Sequence, residues 1–139
     1  MGKVFSWDPK GDTRDPLTYA IIGCAIDVHK ALGPGLLESA YDDCLTYALQ
    51  RAELHVTRQV PLPVAYEGVD LARRYKPDLI VNGEVVVEIK AVKALLPIHD
   101  SQLLTYLRFS GIERGLLLNF NSRRMISGVK RLILTRQKE

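Results

Sequence analysis

The chain has 139 residues, 47% of them hydrophobic and 25% charged, the composition of one ordinary globular domain that can build a core without disulfide or metal staples. Lys and Arg number 19 against 16 Asp and Glu, a formal charge of +3, and no apolar run approaches the roughly 20 residues of a bilayer span. The first residues carry neither an apolar h-region nor a small-residue cleavage site, so no secretory signal is read and the cytoplasm is the expected compartment.

Residues 1–14 read as a polar, flexible lead-in and residues 15–139 as a single domain. Asp15-Pro16 is an N-cap followed by proline at the first helical position. Leu17, Ile21, Cys24, Val28 and Leu32 then recur at helical spacing until Gly33-Pro34-Gly35 breaks the pattern. A second helix follows, with Leu37, Tyr41, Cys44 and Ala48 on one face and an end near Arg51. Val56 to Tyr66 is extended, and Pro61 and Pro63 confine it to an edge or bulged strand. Glu67-Gly68 is a turn. Leu71–Val81 and Val85–Val92 are β-rich runs on either side of Asn82-Gly83, a strong hairpin signal, and complete a three-strand meander. A third helix is predicted from about Asp100 to Ser110, with Gly111 at its C′ position. Gly115 to Phe120 reads as a strand buried on both faces, and Val129 to Leu134 as a weaker last strand. The order ααβββαββ predicts a mixed sheet with helices packed on it.

Cys24 and Cys44 form no CxxC pair and no Cys/His cluster, so they read as reduced core thiols. Charge is uneven along the chain. Residues 1–53 hold 5 basic and 8 acidic side chains, residues 54–113 hold 7 of each, and residues 114–139 hold 7 and 1. That C-terminal excess suits a polyanion such as nucleic acid and makes Arg123, Arg124, Lys130 and Arg131 candidate phosphate contacts; a solvated cationic surface is the alternative.

Within the meander, Pro77-Asp78 is followed by Glu88-Ile89-Lys90. Residues two apart in a strand share a face, so Glu88 and Lys90 project together from an otherwise apolar strand, where charge is costly unless paired or bound to an ion. Asp78 and Glu88 would make a hard, oxygen-rich site suited to Mg²⁺, and a neighbouring lysine can hold attacking water or the charge that builds on a phosphate oxygen. A same-face Glu88–Lys90 ion pair is the alternative. Gln102 and Tyr106, at i and i+4, share a face of the third helix, and Glu38 and Tyr41 share one on the second. Of the three histidines only His99 falls near this group.

Gly35-Leu36-Leu37-Glu38-Ser39-Ala40-Tyr41 together with Pro77-Asp78, Glu88-Ile89-Lys90 and the Gln102–Tyr106 element resembles the GxxExxY family of the PD-(D/E)XK nucleases, over about residues 16 to 135. The resemblance implies an α/β (α+β) restriction-endonuclease-like core, with Glu38 brought beside the meander. It further implies Asp78, Glu88, the Ile89 carbonyl and Glu38 as ligands to Mg²⁺ or Mn²⁺, Lys90 at the attacking water, Gln102 positioning Lys90 or a phosphate, and Tyr106 supporting Gln102 and the backbone contact. Metal-assisted phosphodiester hydrolysis is the activity implied, with DNA favoured over RNA and a homodimer as a way to cover a duplex. A non-cleaving nucleic-acid-binding subunit of a repair or defence complex is the second reading, and a protein-interaction domain the third.

One geometric condition attaches to the site. A strict two-residue turn at Asn82-Gly83 pairs Asp78 with Val87 and turns the two carboxylates to opposite faces. The site therefore requires a three-residue turn that includes Glu84, or a bulge near Pro77.

Overall fold

The fold comes from a computed structural model that describes residues 2–6 and 15–135. Helix α1 (Pro16–Leu32) starts where Asp15 accepts from the Thr18 amide (3.1 Å) and the Thr18 hydroxyl (2.6 Å), with Pro16 at the first position. It stops at Gly33, whose φ of 68° lies where a side chain is unfavourable. Helix α2 (Glu38–Arg51) follows the Gly-Pro-Gly corner. Of the faces read from spacing, Ile21, Val28 and Tyr41 are buried together with Ile22, Ala25, Leu45 and Leu49 in one core, Leu17, Cys24, Cys44 and Ala48 pack against it, and Leu32 and Leu37 are exposed instead.

Strands β1 (Gly2–Ser6), β2 (Val56–Arg58), β5 (Leu79–Val81), β6 (Val85–Lys90), β7 (Arg114–Asn119) and β8 (Val129–Leu134) form one sheet in the order β1-β8-β7-β6-β5-β2. β6 and β7 run parallel, joined by the crossover helix α3 (Pro97–Ser110), and the other neighbours are antiparallel. The sheet is covered on both faces. Leu79, Val81, Val87, Ile89, Leu116 and Leu118 pack with α1 and α2, while Ile80, Val86, Leu117 and Leu132 pack with Leu103 and Leu107 of α3. The expected α+β architecture, a mixed sheet with a β2-β5-β6 meander flanked by helices, is therefore present.

Three expectations change. The run at 71–81 is not one strand: β3 (Ala65–Tyr66) and β4 (Val69–Asp70) form a separate small hairpin. Asp70 then turns the chain by accepting from the Ala72 amide (2.9 Å) into a short 3₁₀ turn, Ala72–Arg74. Helix α3 starts at Pro97 rather than near Asp100, because His99 Nδ1 accepts from the Leu96 amide (2.9 Å) and does the work of a cap. The third change is β1, which pairs with β8 inside the lead-in, where no element was read; residues 7–14 lie outside the described residues.

The condition on the turn is met. Leu79 pairs with Val87 and Val81 with Val85, so Asn82, Gly83 and Glu84 make a three-residue turn, closed by the Glu84 amide donating to the Val81 carbonyl (2.9 Å). Asn82 and Gly83 both take positive φ, and the Asn82 side chain accepts from the His55 amide (2.8 Å), tying the turn to the start of β2. Continued by one residue, this register sets Asp78 opposite Glu88.

Candidate active site

The β5–β6 ladder ends at the Leu79–Val87 pair. Beyond it side chains take over from carbonyls: the Asp78 amide donates to Glu88 Oε1 (2.7 Å) and the Ile89 amide donates to Asp78 Oδ2 (2.8 Å). Each carboxylate thus has one oxygen fixed by the other residue's strand. Asp78 Oδ1 accepts from Gln59 Nε2 (3.2 Å), and Glu88 Oε2 lies 3.9 Å from Lys90 Nζ. Glu88 is only 4% exposed. Burial, and then the Asp78 charge, push its carboxyl up to about 8. Asp78 is also raised, by burial above all and by Asp42 and Glu38, against the Ile89 amide and Lys90. One lysine at 3.9 Å from Glu88 does not offset a buried and a half-buried carboxylate.

Lys90 is held from α3. Its Nζ donates to Gln102 Oε1 (3.2 Å), and Gln102 Nε2 donates to the Tyr106 hydroxyl (3.2 Å). Tyr106 is 4% exposed, and burial together with the Glu88 charge raises its hydroxyl to about 12. It therefore stays a neutral anchor for Gln102. The support for Gln102 expected of Tyr106 is the contact it makes, while its burial takes it away from the expected backbone contact with substrate.

Glu38 arrives from the opposite layer, at the first turn of α2, and its Oε2 accepts from the Ala91 amide (3.3 Å) just past β6. Tyr41 explains the spacing of the motif. Its hydroxyl donates to the Gly33 carbonyl (2.5 Å) and accepts from the Leu36 amide (3.1 Å), while its ring stacks on Phe120 at 4.6 Å between centroids. Tyr41 thereby clamps the corner that sets Glu38. An acidic cleft of about 280 Å³ lies between Glu38, Ser39, Asp42, Gln59 and Asp78. The Ile89 side chain is wholly buried. Lys90, the next residue, accepts from the Phe120 amide with its carbonyl (2.8 Å) on the β7 side, so strand alternation turns the Ile89 carbonyl to the Asp78 side.

Among the cations, the structure separates what the charge count joined. Lys130 Nζ donates to Asp100 Oδ2 (2.7 Å), and Arg131 donates to Asp15 Oδ2 (2.5 Å) inside a cluster completed by Arg114. These ion pairs correct the expectation that Lys130 and Arg131 stand ready for phosphate. Arg123 and Arg124 are exposed, form no ion pair among the described residues, and line a different cleft beside Gly33 and Pro34.

Spacing gave no signal for three further residues. Gln59, held by its own amide on the Asp78 carbonyl (3.2 Å), braces Asp78 from β2. Asp42 adds charge to the cleft while paired with Arg58 at 2.6 Å. Asn119, 3% exposed at the end of β7, accepts from the Val92 amide (3.1 Å) and donates to the Val92 carbonyl (3.0 Å), fixing the loop whose Ala91 amide meets Glu38. A fourth set, Arg73, Arg74 and Lys76, lies two to five residues before Asp78, exposed and without an ion pair among the described residues.

A family model described as the PD-(D/E)XK nuclease superfamily matches residues 15–132, which span every element from the Asp15 cap to β8. The chain belongs to the PD-(D/E)XK nuclease superfamily. No curated protein and no solved structure matches it. For a PD-(D/E)XK chain the sheet is the restriction-endonuclease-like one, and Asp78, Glu88 and Lys90, read as the signature from the sequence, sit together at the end of the β5–β6 hairpin. No described helix is long and apolar enough to cross a membrane.

Proposed function

We propose that this chain is a GxxExxY-type PD-(D/E)XK nuclease that hydrolyses phosphodiester bonds in nucleic acid, DNA ahead of RNA, with Mg²⁺ or Mn²⁺. The observation that carries the reading is the Asp78–Glu88 pair: a half-buried and a buried carboxylate, each with an oxygen held by the other residue's strand, both raised, with Lys90 at their edge. A structural ion pair would lower such groups; this one leaves repulsion that a hard divalent cation relieves.

The donor set fits such a cation. Asp78, Glu88 and the Ile89 carbonyl would hold it, with Glu38 reached through water, since one Glu38 oxygen is engaged by the Ala91 amide. When bound, the ion supplies polarisation of the phosphate and a lowered pKa for a water. The chain does the rest. Lys90 presents an ammonium beside Glu88, steadied by Gln102, where it orients water and offsets charge on the phosphate. Gln102 is a positioning residue, and Tyr106 fixes it. Arg123 and Arg124 are the phosphate contacts.

The second reading, a binding module that does not cut, draws on one observation: Arg123 and Arg124 are exposed and without an ion pair among the described residues, a cationic surface that can bind a polyanion without any chemistry. Incubation of the wild type, Lys90→Ala and Glu88→Ala with single- and double-stranded DNA and with RNA, with and without Mn²⁺, separates the two. Metal-dependent cleavage that both substitutions abolish supports the nuclease. Salt-sensitive binding without cleavage in any mixture transfers the chain to the second reading.

A further inference from the structure

Outside the acidic site, a cleft of about 520 Å³ opens between the C-terminal turn of α1 and the turn after β7. Its apolar lining is made by Ile26, Pro34, Met125 and Ile126. Its rim is cationic, made by Lys30, Arg123 and Arg124, and none of these is ion-paired among the described residues. The wall is built rather than incidental. His29 is buried with Nε2 at 2.8 Å from the Ser122 carbonyl, and at Gly128 a Cβ would lie 2.4 Å from the Asn119 carbonyl oxygen and from Ser122 Oγ, so the turn closes tightly on β7.

An apolar slot with unpaired cations at its lip matches one nucleotide: a base accepted among apolar side chains and its phosphates on the arginines and lysine. A stacked duplex cannot offer a base to such a slot. The cleft also adjoins the corner that sets Glu38. Its Gly33 is five residues from Glu38, a span of at most about 17 Å, and the Tyr41 hydroxyl locks that corner.

We infer that this cleft binds one unstacked nucleotide of the substrate strand, which makes single-stranded or locally unpaired nucleic acid the substrate class. The inference rests on the nuclease reading but is tested apart from it. Glu88→Gln protein in metal-free buffer is titrated with oligonucleotides carrying a single 2-aminopurine, whose fluorescence is quenched by stacking. The strand is supplied single, as a perfect duplex, and as a duplex with one unpaired nucleotide.

The expected result is a fluorescence rise on binding to the single strand and the unpaired nucleotide, with single strand bound at least tenfold tighter than duplex. Arg123→Gln with Arg124→Gln, both on the surface, should weaken single-strand binding about tenfold and reduce the salt slope by about 1.4, or about 0.7 per lost phosphate contact. Ile126→Trp, checked by its melting curve, should remove the fluorescence rise. Equal affinity for duplex and single strand with no rise, or an unchanged salt slope in the arginine variant, overturns the inference even if the wild type cuts. Cleavage failing while these binding results hold overturns the nuclease reading and leaves the cleft assigned.

Discussion

Two places in this molecule bury carboxylates against one sheet, and they are built in opposite ways. At the start of α1, Asp15 receives the Thr18 amide and hydroxyl, Arg114 and Arg131; burial alone would raise its carboxyl, but those donors together hold it below the usual carboxylate value. At the end of β6, Asp78 and Glu88 face each other with one lysine beside Glu88, and both are raised. The first is a satisfied structural cluster. The second holds charge that the chain alone does not balance, the arrangement expected where a ligand completes the electrostatics.

The largest effect that tests this contrast is on activity. Glu88→Gln or Lys90→Ala should lower metal-dependent cleavage on the order of 10³-fold with little loss of fold, measured by single-turnover cleavage and a melting curve. A variant that keeps wild-type cleavage breaks the assignment.

Next in size is stability at the other cluster. Asp15→Ala leaves two arginines without their shared partner and removes a helix cap, at a cost of about 3 kcal/mol. Urea denaturation reads it, and a loss below about 1 kcal/mol would mean that the arginines simply turn to water.

The two clusters should also differ in the sign of their pH dependence. Glu88 has a folded value of about 8 against 4.5, so without metal the folded state keeps a proton that the unfolded chain releases. Stability from this group therefore falls as pH rises from about 4.5 towards 8. Asp15 is lowered from 3.8, so its contribution is present above that value and is lost as pH falls through its folded pKa. Metal-free melting temperatures from pH 3 to pH 8 should fall at both ends, with Glu88→Gln flattening the alkaline side and Asp15→Asn the acid side.

The smallest effect concerns the corner. Tyr41→Phe loses two hydrogen bonds, on Gly33 and Leu36, for about 1–2 kcal/mol. It should reduce cleavage only several-fold, because Glu38 keeps its place at the helix start. A loss as large as that of Glu88→Gln would make the corner part of the chemistry.

Much of this was legible in the sequence because it depends on local rules. The Asp15 cap, the Gly-Pro-Gly corner and the continuous apolar run of β7 are written in adjacent residues. The shared face of Asp78 and Glu88 was legible as a condition, since the alternation of strands left only a longer turn or a bulge, and Glu84 supplies the former. What the spacing missed depends on distant partners. A cap made by His99 on Leu96 has no Ser, Thr or Asp to announce it. Counting charge along the chain joined Lys130 and Arg131 to Arg123 and Arg124, although the first two face acids 30 and 116 residues away. Gln59 and Asn119 look ordinary until the sheet brings them to Asp78 and Val92.

The most direct test of the unbalanced pair is the melting temperature of the wild type and Glu88→Gln at pH 8, each with and without Mn²⁺. The prediction is that the variant melts at or above the metal-free wild type, and that Mn²⁺ raises the wild type alone. A variant that melts well below the metal-free wild type, with Mn²⁺ moving neither protein, would make Asp78 and Glu88 a structural pair and contradict the site.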